Sequence, residues 1–360
     1  MKITGVSAVE LKPFGTAKFK EEWPERTVQS VFVRISSDEG PEGHCINYIL
    51  APGEIAGLLP QLRDTLVGRD PHDVEAISYE LTDKLRSPSV TASAVDIALW
   101  DLIGKLHEQP VYKLLGAARD RLRAYASTYM YDTVQEYVDL TLECRSQGFT
   151  ALKLHAFGVP DKDIEVCRAV REAVGDSMDL MLDPVNAYDR RGAFKVARVL
   201  EELNFYWLEC PIPDTDLQGL QDLTRTFDIP IVAAESVRAG LLAYPPYLTS
   251  HTLDVLRPIG DLIGGISLLR KTAAVAEAFG LMFEPHSYGC TSIAAAHFNV
   301  MLSTHNCEFL ELSVPLGCMD AGMKDVLRPG PDGFVEAPTK PGLGYDVDLN
   351  AIDDLTVREL

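Results

Sequence analysis

The segments DLMLDPVNAY (179–188), FYWLECPIP (205–213) and IPIVAAES (229–236) decide the reading of the fold. Each is a short apolar run that reaches a carboxylate at its end: Asp183, Glu209 and Glu235. The step from 183 to 209 is 26 residues, and the step from 209 to 235 is again 26. Equal steps imply equal strand–helix units, so the three carboxylates are expected at one height on neighbouring strands.

Working outward, the same rhythm begins at Leu122 and continues to residue 312. LRAYAST (122–128), TALKLH (150–155), LDVLRP (253–258), LMFEPH (281–286) and CEFLEL (307–312) bring the strand candidates to eight. Helical patterns at 134–147, 161–174, 191–203 and 266–279 lie between such runs. Alternating strands and helices indicate βα units and a parallel sheet, and eight of them close into a barrel. An open doubly wound sheet is the weaker alternative, because no Gly-x-Gly-x-x-Gly turn follows a strand. Residues 122–321 are therefore assigned to an α/β barrel. Residues 1–121 are assigned to an α+β domain, with strands at 2–12 and 27–35 and helices at 52–67, 71–85 and 91–107. The last helix carries Ala94, Val95, Ala98, Leu99, Leu102, Ile103 and Leu106 on one stripe. The Pro- and Gly-rich tail, 322–360, is expected to return over the first domain.

Composition narrows the function. The chain of 360 residues carries 33 basic and 53 acidic side chains, a formal charge of −20, which repels phosphate backbones and anionic lipid. No apolar run reaches the ~18–20 residues of a membrane span. Glu10 and Lys12 interrupt the place where a secretory leader is most apolar. The 7 cysteines are scattered without a Cys-x-x-Cys pair, which suits a reduced, cytoplasmic compartment.

In a parallel barrel the strand ends meet at one face, where catalytic groups from several strands converge. Besides the three carboxylates, these ends supply Lys153 and His155, His286, and Glu311. Lys153 and His155 are two apart on a strand and share a face. Three clustered carboxylates raise one another's pKa unless a cation joins them, and a hard divalent ion with oxygen ligands is the economical solution. Mg²⁺ fits, and Mn²⁺ suits the same ligands. His155 and His286 are expected on opposite flanks of this ion, one to take a proton and the other to deliver one. His44, His72, His107, His251, His297 and His305 lack such a context and are read as surface or helix residues. Asp254 and Arg257 are intermediate, and Trp100, Trp207 and Tyr188 are read as core.

The segment ASAVDIALWDLIGKLHEQPVYKLLG (92–116), with LKLH, DPVNAY, WLECPIP, IPIVAAES, RPIGDLIGGIS and FEPHS in that order, resembles the mandelate racemase and muconate lactonizing enzyme family of the enolase superfamily. The resemblance spans nearly the whole chain. It implies an α+β capping domain, a (β/α)₇β modified TIM barrel, and Mg²⁺ on Asp183, Glu209 and Glu235. In the mandelate racemase branch the second strand ends Lys-x-Lys; here the pair is Lys153 and His155, so the resemblance puts His155 at the base position and Lys153 on the substrate carboxylate. Two departures stand out. Val185 occupies a place where Asn is common, with Asn186 one later. Ile259 replaces the Asp that follows Gln-Pro on the sixth strand and orients the seventh-strand His, and the nearest acid is Asp261. His286 is accordingly expected to act as a neutral-to-cationic acid rather than a strong base.

The chemistry so implied is acid-sugar dehydration: His155 removes the proton α to a carboxylate, Lys153 and the metal stabilise the enediolate, a protonated Glu311 hydrogen-bonds to it, and His286 protonates the departing β-hydroxyl. Racemisation or epimerisation and lactone cycloisomerisation share the intermediate, and a non-catalytic metal-dependent binding protein is the reading of a different class. The partner is a small carboxylate, met by capping loops at 15–27, with Trp23 and Arg26, and at 44–48. Barrels of this group commonly assemble as symmetric homo-oligomers.

Overall fold

The computed structural model describes residues 1–13, 15–48, 52–85, 89–238 and 240–360. The capping region opens with β1 (Ile3–Leu11), whose inward residues alternate with exposed ones as a half-buried strand requires. A two-residue hairpin, β2 (Thr16–Ala17) and β3 (Arg26–Thr27), follows. Then come β4 (Ser30–Ser37) and β5 (Glu42–Asn47), antiparallel to one another, with β4 also antiparallel to β1. The sequence reading did not include β5, because EGHCIN lacks a run of β-branched residues. Helices α1 (Pro52–Leu66) and α3 (Val90–Leu106) pack on this sheet, and α2 (Val74–Leu85) packs against both of them.

α3 is buried on every side from Val90 to Gly104, more than the single stripe expected of it. A helix buried all round must have partners all round. β5 covers one side and the barrel helix Gly265–Ala278 the other. Polar side chains fix that second contact: Trp100 Nε1 donates to Ser267 Oγ at 2.9 Å, and Asp96 accepts from Ser267 N at 3.0 Å and Ser267 Oγ at 2.5 Å.

The barrel strands are β6 (Arg121–Ser127), β7 (Ala151–Leu154), β8 (Asp179–Leu182), β9 (Trp207–Glu209), β10 (Ile231–Ala233), β11 (Val255–Leu256), β12 (Met282–Phe283) and β13 (Phe309–Ser313). They pair in parallel in the order β12-β11-β10-β9-β8-β7-β6-β13. Among the described residues no strand ladder joins β12 to β13. That seam is stitched instead by Phe283 N to Asn306 O at 2.6 Å, and by the Glu284 carboxylate accepting from Glu308 N at 2.5 Å and Phe309 N at 3.2 Å. Tyr125, Ala151, Met181, Trp207, Val232, Val255 and Phe309 fill the interior as an apolar floor. Beyond β13, β14 (Phe334–Glu336) pairs antiparallel with β6, and β15 (Thr356–Glu359) pairs antiparallel with β1. The tail thus touches barrel and cap alike. No helix among the described residues is long and apolar enough to cross a membrane.

Trp100 tests the junction between cap and barrel. Trp100→Ala is expected to cost about 3–5 kcal/mol through the cavity and the lost indole hydrogen bond to Ser267. Trp100→Phe, which keeps most of the volume, should cost about 0.5–1.5 kcal/mol. Denaturant unfolding of both variants checks the order.

Candidate active site

Asp183 and Glu209 stand level, since Met181 pairs with Trp207 and Leu182 with Leu208. Glu235 does not share their height. Val232 is the residue level with Glu209, three positions earlier, so equal spacing misplaces the third carboxylate. What brings Glu235 inward is the backbone of Ala234, at φ +72°, a conformation non-glycine residues rarely adopt. A buried carboxylate, Asp214, clamps that turn by accepting from Ala234 N at 2.8 Å and Ser236 N at 2.7 Å. Cys210, after Glu209, has φ +41°, and Val185 and Asn186, after Asp183, have φ +54° and +56°. Left-handed backbone at a β-branched valine is costly, and it recurs here at three successive strand ends.

Two buried cations lie among the acids. Lys153 Nζ donates to Glu209 Oε1 at 2.7 Å, pairs with Glu311 Oε1 at 2.8 Å, and lies 3.7 Å from Asp183 Oδ2. Arg257, which follows β11, donates through Nη2 to Glu311 Oε2 at 2.6 Å and through Nη1 to Glu284 O at 3.2 Å. Its Nε is in ion-pair contact with Glu209 Oε1 and lies 3.8 Å from Glu235 Oε1. The intermediate standing given to Arg257 from sequence understates it: the guanidinium sits in the middle of the constellation. Burial works against the charge on Lys153 and Arg257, and Glu209 and Glu311 restore it.

Glu311 is an acceptor and not the donor expected of it. Oε2 receives Arg257 Nη2, Ser287 N at 3.0 Å and Tyr288 N at 3.0 Å. Burial alone favours its protonated form, but Arg257 and Lys153 hold the carboxyl well below its usual range. The two backbone bonds also secure the loop that carries His286.

His155 Nδ1 lies 2.7 Å from the Thr128 carbonyl, which only accepts, so Nδ1 carries the hydrogen. Nε2 then faces the site, 3.1 Å from Asp183 Oδ2. Burial would raise the Asp183 carboxyl, yet the neighbouring His155 and Lys153 hold it below its ordinary range. On the other flank, His286 Nε2 is 3.6 Å from Glu235 Oε1. His155 thus lies against Asp183 and His286 against Glu235. Burial pushes His286 down to about 3, which favours the neutral end of the neutral-to-cationic range expected of it. Nor does Asp261 take the place of the missing dyad acid. Its Oδ2 accepts from Asn47 Nδ2 at 3.4 Å and its Oδ1 lies 3.8 Å from His297 Nε2, while Nδ1 of His286 has no hydrogen-bond partner. His297, read as a bland helix residue, is fully buried on the helix Thr291–Met301 behind the site.

The open side is defined by exposure: the His286 side chain is 15% exposed and Glu235 10%, against 1% or less for Lys153, Arg257, Glu209 and Glu311. The 16–27 segment lies over this mouth. Phe19 packs its ring 5.3 Å from those of His155 and Tyr288, and Lys20 Nζ donates to Val185 O at 3.1 Å and sits 4.7 Å from the Trp23 ring. Sequence reasoning named Trp23 and Arg26 and missed Phe19 and Lys20; the side chain of Arg26 lies outside the described residues. Of the 44–48 stretch, Tyr48 reaches the site region, its hydroxyl donating to Tyr288 O at 2.6 Å. His44 is spent elsewhere, beside Lys105 and Glu42.

Do these residues fit a divalent cation? Among the described residues no group of three or more His, Cys, Asp or Glu side chains is disposed to hold one. The donor chemistry nevertheless fits. Asp183, Glu209, Glu235 and Glu311 set four carboxylates against the two cations Lys153 and Arg257, and burial raises Glu209 well above its usual range despite the pull of those cations. Glu235, which no cation touches closely, shows the deficit: burial and the Asp183 charge push it up to about 7. All three candidate ligands are hard oxygen donors, as Mg²⁺ demands.

Comparison with known proteins follows from this geometry. Residues 9–116 match the N-terminal domain of the mandelate racemase / muconate lactonizing enzyme family, and residues 136–351 match its enolase C-terminal domain-like partner. L-talarate/galactarate dehydratase of Salmonella typhimurium is 30% identical over 275 residues, 73% of this chain and 69% of its own. D-galactarolactone cycloisomerase of Agrobacterium fabrum is 29% identical over 386 residues, with 100% of both chains covered. The crystal structure of D-glucarate dehydratase from Agrobacterium tumefaciens, complexed with magnesium, superposes with a TM-score of 0.85 at 29% identity, covering 99% of this chain and 100% of that one.

His297 makes the fold acid-sensitive. Burial, above all, holds it down to about 4, against roughly 6.5 in an unfolded chain. Stability present above about pH 6.5 should fall as pH drops towards 4, because only the unfolded chain takes up the proton, by up to about 3 kcal/mol. His297→Gln should flatten that stretch of the curve in denaturant titrations at about pH 7 and pH 4.5.

Proposed function

Because the chain belongs to the mandelate racemase/muconate lactonizing enzyme family of the enolase superfamily, we propose that it is a magnesium-dependent acid-sugar dehydratase. It is an enzyme of a group whose named relatives are dehydratases and cycloisomerases. The observation that carries the finer reading is the arrangement across the strand ends: one imidazole against Asp183, another against Glu235, and the Lys153 ammonium beneath.

Asp183, Glu209 and Glu235 would hold Mg²⁺ (or Mn²⁺), which would supply positive charge to the oxygens of a substrate carboxylate. The α-proton of such an anion is weakly acidic, so its removal is feasible only where the enediolate's charge is met as it develops. Lys153 is the fixed cation for that charge. His155 takes the proton on Nε2, its ring oriented by the Nδ1–H bond to Thr128. The β-carbon–oxygen bond then breaks, and His286, a neutral N–H donor, hands the leaving hydroxide its hydrogen. Water departs, and the enol left behind takes a proton at C3 to become a 2-keto-3-deoxy acid. Glu311 acts at one remove, by holding the His286 loop in place, and Arg257 in turn anchors Glu311. Trp23 and Asn186, with Phe19 and Lys20, line the mouth that meets the sugar chain.

Cycloisomerisation is the second reading, favoured by the relative that covers both chains in full. There a ring oxygen leaves in place of hydroxide, and no water is lost.

Incubation with a panel of acid sugars and their lactones, with Mg²⁺ in deuterated water, separates these outcomes by mass. Dehydration gives a product lighter by one water that forms a semicarbazone. An unchanged formula with ring opening identifies the cycloisomerase, and unchanged substrate that has gained deuterium identifies a racemase or epimerase. His155→Asn should lower kcat by about 10²–10⁴-fold and abolish the exchange. Full exchange in that variant removes His155 from the base role.

A further inference from the structure

Arg257 stands where the pattern this chain resembles carries a neutral Gln before proline, and its cationic group lies inside the carboxylate ring. Both oxygens of Glu209, the middle carboxylate, are already engaged. Oε1 faces both Lys153 Nζ and Arg257 Nε, and Oε2 accepts from Trp207 Nε1 at 3.1 Å. A divalent ion arriving at Glu209 therefore meets a guanidinium in ion-pair contact with the same oxygen, in an interior where like charges repel strongly.

The three contacts of Arg257 differ in kind. Nη2 and Nη1 make directed hydrogen bonds to Glu311 Oε2 and Glu284 O. Nε makes only an ion-pair contact with Glu209 and completes no hydrogen bond. The guanidinium is thus anchored on the β12–β13 side, and its grip on Glu209 is the contact that can be given up.

We propose, resting on the metal reading above, that Arg257 is an intramolecular competitor of the divalent cation: the ion is taken up as Arg257 cedes Glu209, so metal affinity is set against a salt bridge built into the barrel. The same charge makes the metal-free protein a stable species, since without Arg257 four buried carboxylates would face Lys153 alone.

Mn²⁺ is the probe, its free concentration followed by electron paramagnetic resonance during titration of the EDTA-stripped full-length protein. Arg257→Gln should bind Mn²⁺ at least about tenfold more tightly than the wild type. Its melting temperature should be lower in EDTA and should rise further on Mn²⁺ addition. Arg257→Lys, which keeps the charge but cannot hold Glu284, Glu311 and Glu209 together, should fall between the two and serves alone if the Gln variant does not fold without metal. A site merely damaged by substitution binds more weakly, so tighter binding is the distinguishing sign. Equal or weaker affinity in both variants overturns the competition while leaving the metal reading in place. Absence of Mn²⁺ binding to every form, wild type included, overturns both.

Discussion

Four carboxylates and two cations are buried together at the top of this barrel, and the shortage of cations for those acids is the constraint on which the rest depends. An ionised carboxylate taken from water into a protein interior costs several kcal/mol unless it is paired and hydrogen-bonded. Below the cluster lies an aromatic and aliphatic floor, Tyr125, Trp207 and Phe309 among it, which excludes water. The floor strengthens each attraction and each repulsion above it. The acids are thus held by named donors: Lys153 and Arg257 on Glu209 and Glu311, backbone N–H groups on Glu311 and Asp214, an indole on Glu209. Glu235 has Arg257 Nε at 3.8 Å and His286 Nε2 at 3.6 Å but no hydrogen-bonded cation, and it is also among the residues nearest the open mouth.

Much of this was legible in the chain, for a reason rooted in geometry. A parallel strand that begins in a dry floor and ends at a rim reads as an apolar run stopped by a polar residue, and TALKLH, DLMLD, FYWLE and LMFEPH all do so. The eight strands and the two flanking histidines followed from that signal. What was not legible depended on backbone conformation or on charge in three dimensions. Nothing in Ala-Ala-Glu announces the left-handed residue at 234, so Glu235 was placed by spacing alone at a height the strand register does not support. Arg257 closes its run just as the acids close theirs, but a search for ligands and bases passes over a guanidinium. Asp261 lies close to His286 in the folding of strands six and seven, through the bridge between Ile259 and His286, yet its carboxylate is directed to Asn47 and His297. Proximity along the chain could not show that direction.

Two of the carboxylates have structural work that a catalytic reading hides. The sheet lacks a ladder between β12 and β13, and Glu284 and Glu311 hold the facing segments together there by accepting backbone N–H groups. Glu284 reaches from the seventh strand to the eighth, and Glu311 reaches back from the eighth to the loop after the seventh. His286 is therefore positioned by an acid that holds the backbone beside it. A carboxylate can do this better than an amide, because each of its oxygens accepts more than one hydrogen bond and none of its valences needs a partner acceptor.

The left-handed residues at 185, 186, 210 and 234 cost on the order of 1–3 kcal/mol apiece, and such strain persists only when the surroundings over-determine it. Asp183 Oδ1 accepts from Val185 N at 2.7 Å, Asn186 N donates to Cys210 O at 2.7 Å, and Asp214 spans the Ala234 turn. Each strained turn is thus tied either to a site carboxylate or to the neighbouring turn, and none could relax without moving an acid. That coupling explains why the strain lies at three adjacent strand ends instead of being spread round the rim: the repulsion among Asp183, Glu209 and Glu235 pushes them apart, and the turns that follow them oppose that push.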